Sequence, residues 1–492
     1  MLKRLLPCVL LAACSRADTG NTPDAHANHT DAPIIADARF VDGAVSIDAP
    51  AGAASRVWVL GDFTTDQVLQ AGSFVDGATL PYGGAGTAPP LVVPTSPAKL
   101  PSLTGYTANV FDATPDASHI AYVADATTAG TFDLYFANGD GSSPALLVAG
   151  QANVEIQSIA ISPDGTKVAY VADTAAINGG YDLFVVKTTG TPAPVKVSPD
   201  RPNTSPAPAA QDVFSVVTWS ADSKYLAFSA DLTNDTFDQA YCVDTTAATP
   251  TAATLLLRTD IGTQTTVPPG AQGVRGALLF DSNNNVYFRA RLVVGDARFQ
   301  LFKSTPDGST RTNVTAYVPA RTDASVPDIG SFGISPDGTK IVISADAPTA
   351  TNYDLYAVAF ATSTTSTKLT NLTAAGHPDF TAPLWFSPDG SRVAFVGNIA
   401  SARREPFVSK LDGTDTHRLL SVTATCSGCA TPDADSVQWT ADGAALYVAG
   451  DLTSNNDTKL YRVNSATTDQ TPALAVDVPT NGDIVLAVVR RQ

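Results

Sequence analysis

Carboxylates that recur at equivalent places along the chain are the residues best suited to chemistry in this sequence. Of the 47 acidic residues, all but Glu155 and Glu405 are aspartates. One set directly follows short apolar segments and comprises Asp62, Asp125, Asp173, Asp231, Asp346 and Asp451. A second set opens the next apolar segment and comprises Asp133, Asp182, Asp238 and Asp354. Such groups can attract a basic partner, bind a divalent cation or, when paired, hydrolyse glycosides.

A structural interpretation competes with each of these functions. Aspartate also caps loops by accepting hydrogen bonds from nearby backbone N–H groups. Repetition in nearly every unit favours the structural interpretation, because a specific site requires the units to differ. No cofactor is expected, and a divalent cation stays an open alternative.

Units that break the acidic rule are therefore the more informative ones. One carries Arg289-Ala-Arg291 and Arg298, and another has Asn398 followed by Arg403-Arg404-Glu405. These basic insertions predict either a contact surface or local neutralisation of an acidic rim. His377, in Gly-His-Pro-Asp, is the histidine best placed for a ligand.

The cysteines have three interpretations. Cys426-Ser-Gly-Cys429 has the spacing of a redox motif, but that motif requires a strand followed by a helix, and its surroundings are typical of a loop. Zinc would need two further ligands. An exported chain meets an oxidising compartment, so a small disulfide between Cys426 and Cys429 is the preferred interpretation. Cys242 lies in an apolar segment and is expected to be a buried thiol.

These candidates are positioned by an internal repeat. Three strict copies contain Ser-Pro-Asp-Gly, at Ser162–Gly165, Ser335–Gly338 and Ser387–Gly390, and looser copies centre on Asp116, Asp222, Asn283 and Asp442. The copies are 48 to 61 residues apart. Pro fixes φ and Asp-Gly closes a tight turn, so each copy predicts a hairpin between two antiparallel strands.

A second signature follows several of the hairpins by about ten residues, as in Phe132-Asp-Leu-Tyr135, Tyr181-Asp-Leu-Phe184 and Tyr353-Asp-Leu-Tyr356. It predicts a third strand, and a further turn and a fourth strand follow it. Four antiparallel strands in about 55 residues form one blade of a β-propeller.

The repeats between about residues 110 and 465 resemble those of the TolB-type propeller family, also found in the propellers of prolyl-oligopeptidase-like enzymes. This resemblance, of the TolB-like or WD40-like (PD40) kind, implies blades around a central channel. Known members bind partner proteins or gate access to a catalytic domain. No Gly-x-Ser-x-Gly occurs, and the chain ends about 30 residues after the last repeat, so we do not expect peptidase activity.

The predicted all-β propeller spans residues 36–492 and has eight blades, with seven as the alternative. Arg56–Asp62 resembles a second strand, and Asp483–Val489 is a spare strand beyond the last repeat. Pairing these segments would close the ring and cover two sheet edges.

The first residues predict where in the cell the protein is located. Lys3 and Arg4 precede an apolar stretch, and residues 1–13 have the form of a secretory signal. Leu11-Ala-Ala-Cys14 resembles a bacterial lipobox, which implies acylation of Cys14, while Ser15 favours the outer membrane by the same resemblance. Residues 14–35 are polar and predict a flexible tether between the lipid bilayer and the propeller.

The net charge of −17 argues against nucleic-acid binding, because phosphate contacts require a basic surface. We therefore expect a non-catalytic lipoprotein of the cell envelope that binds a protein, peptide or glycan. The alternative is an extracytoplasmic hydrolase or lyase acting on glycan or peptide.

Overall fold

The fold is that of a computed structural model. It describes residues 55–61, 70–76, 110–128, 131–150, 155–173, 180–200, 212–231, 238–246, 254–256, 273–291, 298–349, 353–362, 365–370, 383–397, 404–420, 434–450, 452, 458–471, 473–476 and 484–491.

The described strands form antiparallel sheets, and each four-stranded sheet is built from consecutive strands. Sheet I contains β3 (Phe111–Ala113), β4 (His119–Thr128), β5 (Thr131–Asn138) and β6 (Ala145–Val148). Sheet II contains β7 (Ile156–Ile161), β8 (Lys167–Asp173), β9 (Tyr181–Lys187) and β10 (Val195–Lys196). Sheet III contains β11 (Val213–Trp219), β12 (Tyr225–Ala230), β13 (Gln239–Asp244) and β14 (Thr254–Leu255). Sheet IV contains β15 (Gly273–Phe280), β16 (Val286–Arg291), β17 (Gln300–Ser304) and β18 (Arg311–Asn313).

The remaining sheets follow the same order. Sheet V contains β19 (Ile329–Ile334), β20 (Lys340–Ala345), β21 (Asp354–Ala359) and β22 (Thr367–Lys368). Sheet VI contains β23 (Trp385–Phe386), β24 (Arg392–Gly397), β25 (Glu405–Lys410) and β26 (Thr416–Arg418). Sheet VII contains β27 (Ala434–Trp439), β28 (Ala445–Gly450), β29 (Lys459–Asn464) and β30 (Ala473–Val476). The closing sheet contains β1 (Ser55–Gly61), β2 (Gln70–Val75) and β31 (Ile484–Arg491), and short 3-10 turns cover Thr315–Tyr317 and Phe360–Thr362.

This arrangement confirms the predicted all-β propeller of four-stranded antiparallel blades. The apolar core lies between consecutive sheets: one buried cluster joins sheets II and III, and another joins sheets VI and VII. In the closing sheet, β1 lies between β31 and β2 in antiparallel pairing. The eight-blade count stays a prediction.

The Ser-Pro-Asp-Gly segments are tight turns, as their composition predicts. In sheet II the N–H of Gly165 donates to the carbonyl of Ser162 at 2.8 Å, and Gly165 has φ of +69°. The carboxylate of Asp164 accepts from the Ser162 and Thr166 hydroxyls at 2.6 and 2.9 Å. These bonds outweigh the effect of burial and hold the pKa of Asp164 below its usual value. The turn aspartates are thus structural.

A stacked aromatic pair joins the second and third strands in most sheets. Tyr170 and Phe184 are direct cross-strand partners with ring centroids 5.2 Å apart. The equivalent pairs are Tyr122–Tyr135, Phe228–Tyr241, Phe288–Phe302 and Phe395–Phe407. Each such pair contributes about 0.5–1.5 kcal/mol beyond its buried area. The alternating third-strand signature therefore encodes packing within the blade.

Neighbouring sheets are joined along the edge that carries these turns, which we call the lower edge. Lys340 of sheet V donates to the carbonyl of Gly390 in the next turn at 3.1 Å. Arg392 of sheet VI donates to the carbonyl of Gly443 at 2.7 Å and lies over the Trp439 ring. In sheets II, V and VI, the basic residue that follows the turn thus binds the turn of a neighbouring sheet.

The closing sheet forms hydrogen bonds with a neighbouring sheet on each side. Trp58 donates its indole N–H to the carbonyl of Gly139 in sheet I at 2.9 Å. On the other side, Asp76 accepts from the Tyr447 hydroxyl at 2.6 Å and from Arg462 Nε at 3.0 Å. The closing sheet therefore lies between sheets I and VII.

Among the described residues, no helix has the length and apolar character needed to cross a bilayer.

Candidate functional site

The charged side chains predicted from the sequence meet at the opposite edge of the sheets, which we call the upper edge. Here each first strand begins, each second strand ends and each third strand begins, because neighbouring strands are antiparallel. Asp173 ends β8 beside Tyr181 at the start of β9. The described carboxylates of both sequence sets lie along this edge.

The aspartates that open the third strands bind the fourth strand of their own sheet. Asp182 accepts from the Ser198 hydroxyl at 2.8 Å and forms an ion pair with Lys196 at 3.2 Å. In sheet V, Asp354 accepts from Thr370 at 2.8 Å and pairs with Lys368 at 2.8 Å. Both carboxylates are buried. These contacts support the structural interpretation of the second set.

Sheet I satisfies the equivalent carboxylate without a cation. Asp133 accepts from the Thr127 hydroxyl at 2.6 Å, the Tyr135 hydroxyl at 2.9 Å and the Gly150 N–H at 2.6 Å. Although burial opposes ionisation, these three donors hold the pKa of Asp133 below its usual value. Asp125, on the neighbouring strand, is completely buried.

In sheets III and V, the aspartate that ends the second strand belongs to a chain of hydrogen bonds between sheets, which we call a relay. Asp231 accepts from the backbone N–H of Asp212, which precedes the first strand of sheet III, at 2.5 Å. Asp212 in turn accepts from the N–H of Tyr181 in sheet II at 2.8 Å. Sheet V has the same arrangement, since Asp346 accepts from the N–H of Asp328 at 2.6 Å and Asp328 accepts from the N–H of Phe299 at 2.6 Å.

Two relays differ in their electrostatics. Burial, together with the carboxylates of Asp212 and Asp238, raises the pKa of Asp231 to about 7. Asp346 instead faces Arg321 at 2.5 Å, and Arg321 also binds Asp323 at 2.9 Å. The relay of sheet III therefore holds a carboxyl that gains or loses its proton near neutral pH, whereas that of sheet V holds an ion pair.

Sheet IV replaces the acidic pair of the relay. Cross-strand pairing places Arg291 where the other sheets have Asp173, Asp231 and Asp346. Its partner is Gly273, in place of the acidic residue before the first strand. A Cβ at Gly273 would lie 2.1 Å from the carbonyl oxygen of Asp238, and its φ is +62°, so this close approach of sheets III and IV requires glycine.

Further arginines surround this position. Arg275, whose side chain is 50% exposed, lies 3.5 Å from Asp238. Arg289 donates to the carbonyl of Ile329 in sheet V at 3.2 Å and lies over the Phe299 ring at 5.0 Å. Arg298 donates to the carbonyl of Val326 at 3.2 Å. In the basic insertion predicted from sequence, Arg275 thus contacts sheet III, whereas Arg289 and Arg298 contact the side of sheet V.

Several predicted residues lie outside the described part of the chain, and their roles stay predictions. They are Cys14, Asp62, His377, Arg403, Cys426, Cys429 and Asp451. Arg404 is described and half-buried directly before β25, in sheet VI. Cys242 is a buried free thiol, and burial raises its pKa. Within the described ranges, no three His, Cys, Asp or Glu side chains are arranged to hold a metal ion.

Sequence reasoning missed the acidic residues that precede the first strands, Glu155, Asp212 and Asp328. Their signal is an acidic residue directly before the apolar start of a repeat. It also missed Arg321, whose partner Asp346 lies 25 residues away along the chain. Only the fold brings those two side chains together.

No protein-family model matches this chain, and no curated protein matches it. Similar solved structures do exist. Porphyromonas gingivalis dipeptidyl peptidase 4 has a TM-score of 0.51 and 12% identity, covering 85% of this chain and 59% of that one. An oligogalacturonate lyase in complex with manganese has a TM-score of 0.46 and 16% identity, covering 72% and 87%.

TolB from Acinetobacter baumannii has a TM-score of 0.35 and 12% identity, covering 76% of this chain and 80% of that one. The chain spans 59% of the length of the dipeptidyl peptidase and 50% of a prolyl endopeptidase with which it shares 13% identity. At these identities the likeness concerns the fold alone.

Proposed function

We propose that this chain is a non-catalytic binding propeller of the cell envelope. Acyl chains on Cys14 anchor it to the outer membrane, and its upper edge holds a protein, peptide or glycan partner. The resemblance of its Ser-Pro-Asp-Gly repeats to the TolB-type propeller supports a binding role, because known members of that family bind partner proteins. The lipobox resemblance supports the anchor.

The observation that carries this proposal is the chemical difference between sheets at the upper edge. Acidic relays occupy this edge in sheets III and V, and sheet IV has Gly273 and Arg291 instead. If the aspartates capped their loops in the same way in every sheet, the upper edge would serve folding alone. Selective binding requires unlike groups at defined places.

The test is a pull-down from crosslinked envelope membranes with the wild-type chain and Cys14→Ala. We expect a reproducible partner that is enriched with the wild type and lost with Cys14→Ala. Metabolic labelling with a fatty acid should modify the wild type alone. Absence of any reproducible partner would exclude the binding function, and equal labelling of both chains would exclude acylation of Cys14.

Two charge reversals then locate the binding surface. Arg275→Glu alters the upper edge at a half-exposed side chain. Arg311→Glu is the matched control, because Arg311 begins β18 at the lower edge of the same sheet. We expect partner recovery to fall with Arg275→Glu and to persist with Arg311→Glu. The opposite result would place the partner on the lower edge.

One observation favours an enzyme as a second candidate function. A carboxyl with a pKa of about 7, such as Asp231, beside a second acidic group such as Asp212 is an arrangement suited to general acid catalysis. An extracytoplasmic glycan or peptide hydrolase or lyase would use it on the upper edge. Turnover in a substrate screen that disappears in Asp231→Asn, with Asp354→Asn as control, would support this candidate.

A further inference from the structure

Sheet III contacts both of its neighbours at the upper edge. Towards sheet II, the carboxylate of Asp212 accepts from the backbone N–H of Tyr181 at 2.8 Å. Towards sheet IV, the carbonyl of Asp238 accepts from the backbone N–H of Val274 at 2.8 Å. The N–H groups of Tyr181 and Val274 therefore report whether sheet III is in contact with each neighbour.

Asp231 lies between these two contacts. It directly follows β12, which pairs with β11 on one side and with β13 on the other. Asp212 directly precedes β11, and Asp238 directly precedes β13. Three carboxyl groups from adjacent strands thus lie at the same level of the upper edge, and those of Asp231 and Asp238 belong to buried residues.

The titratable and charged groups around Asp231 come from three sheets. Within sheet III, the carboxylates of Asp212 and Asp238 both oppose its ionisation. From sheet IV, Arg275 lies 3.5 Å from Asp238, but its side chain is 50% exposed, so water screens its charge. The groups of sheet II that border this cluster through Asp212 are Tyr181, Glu155 and Asp173.

Ionisation of Asp231 is costly while the three strands stay in contact. Burial and the two neighbouring carboxylates raise the pKa of Asp231 to about 7. The N–H of Asp212 can donate to this carboxyl in either charge state, so ionisation breaks no hydrogen bond. Ionisation instead favours any arrangement in which the carboxyl reaches water over the closed arrangement, in which it is buried.

We propose that Asp231 is a pH-sensitive joint, and that its ionisation makes the contacts of sheet III with sheets II and IV open more often at the upper edge. In acid, the neutral carboxyl stays buried beside Asp212 and Asp238. Near neutral pH, the ionised carboxyl favours arrangements in which water reaches it. The opening is local, because other residues join sheets II and III at the lower edge, where Lys167 donates to the carbonyl of Ser223 at 3.1 Å.

Sheet V provides a control for this joint within the same molecule. There Asp328 accepts from the N–H of Phe299 at 2.6 Å, as Asp212 accepts from that of Tyr181. The carboxylate that ends the second strand of sheet V, however, lies 2.5 Å from Arg321, whose side chain is 10% exposed. Because this buried guanidinium supplies a countercharge, the N–H of Phe299 is not expected to respond to the joint of sheet III.

The test is hydrogen exchange of backbone amides in the full-length chain in detergent, between about pH 5 and pH 8. Mass spectrometry with fragmentation resolves the amides of Tyr181, Val274 and Phe299. Dividing each rate by that of an unstructured amide at the same pH gives an equilibrium constant for opening. The wild type is compared with Asp231→Asn, which keeps the hydrogen-bond acceptor and carries no charge. Melting temperatures of both proteins confirm that each is folded across this range.

We expect the opening constants of Tyr181 and Val274, taken as the ratio of wild type to Asp231→Asn, to rise with pH. The rise should be about tenfold for each pH unit from about pH 5 and should level off near pH 7, because each opening releases one proton below the pKa of Asp231. The same ratio at Phe299 should not change with pH. A ratio at Tyr181 and Val274 that is independent of pH would overturn the inference. An equal rise at Phe299 would also overturn it, because the whole fold would then be opening.

Discussion

Asp231 and Asp212 join the first two strands of sheet III through reciprocal hydrogen bonds. The N–H of Asp212 donates to the carboxylate of Asp231 at 2.5 Å, and the N–H of Asp231 donates to the carbonyl of Asp212 at 3.1 Å. The bond to the carboxylate survives protonation of Asp231, because the second carboxyl oxygen can carry the proton. The carboxyl can therefore change its charge without breaking the relay.

The raised pKa of Asp231 makes the stability of the fold depend on pH. Its pKa is about 7 in the folded state and near 3.8 in the unfolded chain, so the folded state binds more protons between these values. The contribution of Asp231 to stability is complete below pH 3.8 and is lost as pH rises through about 7.

Asp231→Asn should remove this dependence, because the amide oxygen still accepts the N–H of Asp212 and carries no charge. We expect the variant to melt at a higher temperature than the wild type at pH 8 and at nearly the same temperature at pH 4. Thermal unfolding of both proteins across this range measures the difference. A constant difference at every pH would show that Asp231 does not titrate in this window.

The turn glycines should differ in how they tolerate a side chain. A Cβ at Gly338 would lie 2.3 Å from the backbone N of Ser282 in sheet IV, whereas at Gly165 the nearest atom is a Thr114 methyl at 3.3 Å. Both residues have positive φ, which costs an L-residue about 1–2 kcal/mol.

We therefore expect Gly165→Ala to lower the free energy of unfolding by about 1–2 kcal/mol. Gly338→Ala should lower it by about 3 kcal/mol or more, because two backbones must also move apart. Chemical denaturation compares the two. Equal losses would mean that moving the turns of sheets IV and V apart does not change the free energy of unfolding.

The sequence predicts the elements inside a blade far better than the contacts between blades. Turn chemistry and alternating apolar residues are local, so the Ser162–Gly165 turn and the β9 strand follow from neighbouring residues. The pairing of Asp346 with Arg321 depends on how the segment before β19 returns to the upper edge. No spacing rule predicts that path.

The charged residues of the upper edge show the same difference between local sequence pattern and contacts made by the fold. Sequence periodicity placed Asp182 and Asp354 correctly at the start of third strands, but their partners in the fourth strands became evident from the fold alone. The sequence shows that Arg291 departs from the acidic residue found at this place in other repeats. That Gly273 faces it follows only from the strand register.

Arg392 provides a test of the contacts between sheets at the lower edge. Its guanidinium donates to the carbonyl of Gly443 at 2.7 Å and to the hydroxyl of Ser465 at 2.8 Å, and it lies 4.8 Å from the Trp439 ring centroid. Arg392→Met should cost about 2 kcal/mol, because two charge-assisted hydrogen bonds and the cation–π contact are lost.

Arg392→Lys is the matched control for this change. It retains the charge but supplies one ammonium group instead of a planar fork, so we expect an intermediate loss. Urea denaturation followed by tryptophan fluorescence measures both. If Arg392→Met proves as stable as the wild type, the contact between sheets VI and VII at this turn contributes nothing.

Asp354 tests whether the third-strand aspartates serve folding or binding. The Asp354 carboxylate accepts from the Thr370 hydroxyl at 2.8 Å and pairs with Lys368, whose side chain is 37% exposed. Asp354→Ala should lower the free energy of unfolding by about 2 kcal/mol, chiefly because the buried hydroxyl loses its acceptor. Since Lys368 is partly screened by water, the ion pair adds little.

Partner recovery should stay unchanged in Asp354→Ala at temperatures well below its melting point, because the Asp354 carboxylate is bound to Thr370 and Lys368. The double variant Asp354→Ala/Thr370→Val should be less stable than Asp354→Ala, because the Thr370 hydroxyl oxygen also accepts the buried N–H of Leu355 at 2.9 Å, and its removal leaves that donor unsatisfied. Denaturation of the single and double variants measures this coupling. Loss of binding with unchanged stability would instead place Asp354 in the ligand site and make the acidic edge a recognition surface in every sheet.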